Sequence, residues 1–62
     1  MFEVYKLVFR DPLKPQMGCE KIKAGSAIDY KAAQFIQFNI ILDSANDPRI
    51  KTAIIEEVLY EG

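Results

Sequence analysis

The sequence predicts an α+β domain of order β-β-α-β, a small antiparallel three-stranded sheet with one helix packed on a face. Three observations lead there. The opening "FEVYKLVFR" (2–10) is rich in β-branched and aromatic residues. The stretch from about Ala27 to about Ser44 holds no proline or glycine. Between them lies "DPLKPQMG" (11–18), with two prolines and a glycine, which reads as a loop. With 62 residues the chain makes one domain, 1–62, near the lower limit for folding without metal, disulfide or partner.

The first strand alternates loosely, with Phe2, Val4 and Val8 on one face and Tyr5, Leu7 and Phe9 on the other. Both faces are largely apolar, as expected of a strand covered on two sides. "CEKIKA" (19–24) reads as a second strand that closes a hairpin with a long connection. "GSAID" then opens the helix: Gly25 breaks the strand, Ser26 caps, and Asp29 completes an approximate capping box near the positive end of the dipole. The helix stops before "NDP".

The tail "RIKTAIIEEVLYE" (49–61) has two readings. Asp47 as cap and Pro48 at the first position give a second helix, and hence the alternative of a β-hairpin plus two helices. As a strand, Ile50, Thr52, Ile54, Val58 and Tyr60 share a face broken only by Glu56. A two-stranded hairpin is marginal in water and a third strand makes a proper sheet, so the strand is preferred.

On the helix, Ile28, Ala32, Phe35 and Leu42 fall on one stripe, expected to face the sheet, and Asn39 falls on it too. Ala33, Ile36 and Ile40 lie round one side, with Ile41 and Tyr30 further round. One sheet layer cannot bury a helix that is apolar all round, so a second face is expected to meet a partner or another copy of the chain. Asn39 either bonds neighbouring backbone at the core margin or gives direction to an apolar contact, where an unmatched partner costs about 1–3 kcal/mol. Tyr30 is either an edge-of-core aromatic or a contact anchor of the kind found in interface hot spots.

Half the residues are apolar, which argues against disorder. The single cysteine, Cys19, forms no internal disulfide and is expected to be a small buried side chain in a reducing, cytoplasmic setting. No stretch approaches the length of a membrane span, and the opening lacks the features of a signal peptide. There is no histidine, no metal-ligand spacing and no glycine-rich phosphate loop, so neither enzyme activity nor a cofactor or metal is expected. Glu56 and Glu57, adjacent on a strand, point to opposite faces and do not converge. The net charge is −1, with five basic against three acidic side chains in residues 1–25 and three against six in 26–62. No basic stripe suggests direct nucleic-acid binding, whereas the acidic half suits a basic partner.

Two runs carry a family resemblance. "EVYKLVF" (3–9) resembles the first strand, and "QFIQFNIIL" (34–42) the helix, of the Dmd family, small antitoxins that T-even-type phages make against host endoribonuclease toxins. The helix pattern is Gln, aromatic, three residues, Asn, two residues, Leu; "MGCEKI" is a looser third match. Size and element order agree as well, so the resemblance spans nearly the whole chain. It implies a phage-type antitoxin that binds a host RnlA- or LsoA-type ribonuclease and blocks its access to RNA. Under that resemblance, Asn39 matches the helix asparagine that contacts the toxin. Tyr30 stands where the family has a tryptophan, a swap that keeps stacking area and changes the hydrogen-bonding group. The competing expectation is a self-associating structural or adaptor module, a homo-oligomer without catalytic activity.

Overall fold

The computed structural model describes residues 1–59. It holds strand β1 (Phe2–Phe9), a single 3-10 turn (Pro15–Met17), strand β2 (Cys19–Ala27), helix α1 (Tyr30–Asp43) and strand β3 (Ile50–Glu57). The three strands form one antiparallel sheet in the order β2-β1-β3, with α1 across one face. The expected β-β-α-β arrangement is therefore the observed one, and residues 50–57 are strand rather than helix. The expectations for Tyr60 and Glu61 lie outside the described residues.

Local chemistry sets the boundaries. Asp11 Oδ1 accepts from the Leu13 amide at 3.0 Å, turning the chain out of β1. Gly18 takes a φ of +121°, open to glycine and strained for other residues, before β2 begins. Ser26 is not the helix cap: β2 runs on through it, and Asp29 caps α1 by accepting from the Ala32 amide at 2.7 Å. At the far end the Ser44 amide and hydroxyl donate to carbonyls of the last turn.

Asp47 and Pro48 do not cap a second helix. The Ile50 amide donates to the Asp47 carbonyl at 3.0 Å, closing a turn with Pro48 inside it. Asp47 Oδ1 accepts from both the backbone amide and Nε of Arg49 at 3.1 Å, and Oδ2 from Nη2 at 3.0 Å. A side chain that satisfies the backbone two residues ahead stabilises a turn as readily as a cap. That is why the sequence supported both readings.

Two irregularities shift the phase of the edge strands. Val4 lies opposite Gly25 and Tyr5 opposite Lys23, so Ala24 is an extra residue in β2. Leu7 lies opposite Thr52 and Val8 opposite Ile50, so Lys51 is extra in β3. The second bulge overturns the expected alternation of β3. Ile50 and Ala53 both reach the core, joined by Ile55, while Ile54 lies opposite Tyr5 on the other side of the sheet.

The core sits between α1 and the sheet: Val4, Ala33, Ile40, Ile50 and Ala53 are buried, with Phe2, Val8, Ala27, Ile36 and Ile55 around them. Ala33, Ile36, Gln37, Ile40 and Ser44, spaced i, i+3, i+4, i+7, i+11, are therefore the inward face of the helix. The expected inward stripe is the outward one: Phe35 and Leu42 are 66% and 55% exposed, and Ile28 lies outside the helix altogether. With apolar residues on all sides, packing rather than periodicity chose the face. Small residues made that choice possible, because Ala33 and Ala53 are almost fully buried between helix and sheet. At Gly25 an added Cβ would lie 3.3 Å from Ile36 Cδ1, so glycine there lets the helix approach β2.

Candidate functional site

The outward face of α1 carries a ridge of Phe35, Phe38 and Leu42, with Phe38 58% exposed, and Ile41 beside it. Lys31 and Gln34 join Phe35 and Phe38 around a shallow apolar depression of about 250 Å³. Large apolar side chains left in water at i, i+3 and i+7, two of them aromatic, form one continuous stripe, the arrangement expected of a contact surface. Sequence reasoning placed Phe35 and Leu42 in the core and gave Phe38 no role.

Tyr30 and Asn39 are not brought together. Nine positions at about 100° each put them on opposite flanks of the helix, with the ridge between them. Tyr30 is half exposed, and its ring meets Phe2 edge-to-face with centroids 5.4 Å apart. It is thus an edge-of-core aromatic that also presents surface. Asn39 is exposed, and its amide makes no hydrogen bond among the described residues. It lines a groove of about 440 Å³ between α1 and β2, together with Ile22, Ala24, Ile36, Ile40 and Asp43. The reading of Asn39 as a core-margin residue bonded to backbone is overturned.

Among the described residues no element covers the sheet face opposite the helix, contrary to the expectation of a doubly covered β1. A charged network crosses it instead. Glu3, buried despite its charge, accepts from the Tyr5 hydroxyl and from Lys23 Nζ, the latter at 2.9 Å. Lys21 Nζ donates to Glu56 Oε1 at 2.5 Å and sits 4.4 Å from the centroid of the Tyr5 ring. Glu3 and Glu56 are direct cross-strand neighbours, a repulsive pair that the two lysines of β2 offset. Glu57 lies opposite Phe2 on the helix side, so the two adjacent glutamates do diverge.

Cys19 is exposed, not buried, at the start of β2. Among the described residues no group of three His, Cys, Asp or Glu side chains is placed to hold a metal ion. No helix there is long and apolar enough to cross a membrane. No family model, curated protein or solved structure matches the chain.

Proposed function

We propose that this chain is a non-catalytic inhibitor that binds an endoribonuclease toxin of the RnlA or LsoA kind and keeps RNA from its active site, acting in the cytoplasm of a phage's host. The observation that carries the reading is the exposed ridge of Phe35, Phe38 and Leu42 on an otherwise well-anchored helix. A protein surface laid across that ridge reaches Tyr30 on one flank and Asn39 on the other. Apolar anchors would then sit at the centre and directional groups at the rim, the usual division of labour in a tight interface. The resemblance of "QFIQFNIIL" to the antitoxin helix supplies the class of partner. The acidic excess of residues 26–62 favours approach to a basic, RNA-binding cleft.

The test is co-expression with RnlA- and LsoA-type toxins in bacteria, scoring growth and mRNA decay. Rescue by the native chain and loss of rescue with Phe38→Glu, Asn39→Ala or Tyr30→Ala, each checked for folding by circular dichroism, is the expected result. Absence of both rescue and co-purification would sink the reading. Self-association is then the next account. Phe35 and Leu42 flank Phe38 along the ridge, so two antiparallel copies would stack the same residues on each other. Light scattering that finds a stable monomer excludes it.

A further inference from the structure

The outward residues of α1 follow a stricter spacing than an apolar patch requires. Lys31, Phe35, Phe38 and Leu42, all exposed, recur at alternating steps of one helical turn's length, i, i+4, i+7 and i+11. That alternation is a heptad seam, in which each side chain of one helix drops between residues of a second helix. The positions flanking the seam, Ala32, Gln34, Asn39 and Ile41, carry no charge. Lys31 is thus the one charged residue among them. It stands in the first turn, where a cation opposes the dipole of its own helix.

We propose that in the free protein this ridge is covered by the same ridge of a second copy, the two α1 helices running antiparallel with each Lys31 against the other's last turn. When two such helices overlap along their full length, Tyr30 of one lies beside Asp43 of the other. The same register sets Lys31 beside Leu42 and Phe35 beside Phe38, and the two-fold axis makes each pairing occur twice. Every seam residue then has a counterpart.

Charge favours the same arrangement. Lys31 lays its stem over Leu42 of the second copy and brings its ammonium to the carbonyls of that helix's last turn and to Asp43. Neither Lys31 nor Asp43 forms an ion pair among the described residues. A parallel pair would instead set Lys31 against Lys31 and align the two dipoles side by side. A second copy therefore supplies both a seam of matching spacing and the acidic helix end that Lys31 lacks.

The area is sufficient for a weak dimer. Phe35, Phe38, Ile41 and Leu42 keep 66%, 58%, 47% and 55% of their surface in water. At about 200 Å² for a whole side chain of this size, covering them removes about 400 Å² per copy. With the polar flanks, two copies bury about 1,000 Å², the low end for a specific interface, which corresponds to a Kd of about 10–100 µM. Such a dimer masks the ridge and yields to any partner that covers it more tightly. That last consequence deepens the toxin-binding reading and rests on it; the dimer does not, and its test contains no toxin, so the two can fail separately.

The test is sedimentation equilibrium from about 1 to 500 µM, spanning the expected Kd. The native chain should pass from monomer to dimer, and Phe38→Glu should stay monomeric throughout. Lys31→Glu and Asp43→Lys should each weaken the dimer about three- to tenfold, and the two together should recover most of the loss. Each reversal suits the dipole of its own helix, so neither loses association by unfolding. A monomer at every concentration, a dimer that Phe38→Glu leaves intact, or a double reversal no stronger than either single one would overturn the proposal. Circular dichroism checks each fold, and the charge reversals decide the question should Phe38→Glu fail to fold.

Discussion

Lys21 and Glu56 join the two edge strands across the top of the central one, Nζ to Oε1 at 2.5 Å, with the Tyr5 ring beneath. Neither residue is near the other in sequence or on adjacent strands. The contact exists only because the order β2-β1-β3 places a single strand between them.

Both groups are more than a third exposed, so solvent screens the pair and its worth is small. A double-mutant cycle with Lys21→Met and Glu56→Gln should give a coupling of about 0.5–1 kcal/mol, shrinking in high salt. Coupling of several kcal/mol in urea denaturation would show that the pair is far better shielded than its exposure indicates.

The two faces of α1 should respond oppositely to substitution. Phe35→Glu and Phe38→Glu alter exposed positions and should change stability by no more than about 0.5 kcal/mol. Ile40→Ala empties a buried position and should cost about 2–4 kcal/mol. In a chain of this size, whose whole stability is expected to be about 3–9 kcal/mol, that is enough to unfold a large fraction. Chemical denaturation of the three variants checks the assignment, and equal effects on both faces would contradict it.

Gln37 has a role beyond its own hydrogen bond. Gln37→Ala should lose about 1 kcal/mol and leave the outward Ala53 carbonyl open to other strands. Sedimentation at increasing concentration should therefore find more association in this variant than in the native chain. A purely monomeric variant would mean that the glutamine only ties helix to sheet.

The turn into β3 should be acid-sensitive. Hydrogen bonds from the Arg49 side chain, and then its backbone amide, hold the Asp47 carboxyl below its ordinary value of 3.8. A folded value below the unfolded one gives stability that is fully present above the unfolded value and lost as pH falls through the folded one. Amides at 49–51 should thus lose protection at more acid pH than an ordinary aspartate would dictate. Asp47→Asn should remove that step, and an unchanged profile in the variant would assign it to another group.

The order of elements was legible in residues whose effect is local. Prolines 12 and 15 with Gly18 mark the loop, "NDP" ends the helix, and β-branched and aromatic residues mark the first strand. The preference for a third strand followed from the instability of a lone hairpin. The candidate site was legible only in part. That the helix had one apolar face too many could be read from "FIQFNIIL", but which face was spare could not, and Asn39 was placed with the core stripe.

What the sequence determined by itself, then, is the succession β-β-α-β and a surplus of apolar surface, because both follow from short-range preference and from the ratio of apolar residues to chain length. Tertiary structure decided the rest. Close approach at Gly25, Ala33 and Ala53 set the rotation of the helix and so exposed Phe35, Phe38 and Leu42. One extra residue, Lys51, reversed the phase of β3 and sent Ile50 and Ala53 to the same side. Strand order put β2 and β3 at the two edges, and Gln37 reaches over the outer edge of β3. Each of these depends on which residues far apart in the chain fit against one another, and no periodicity within a single segment carries that information.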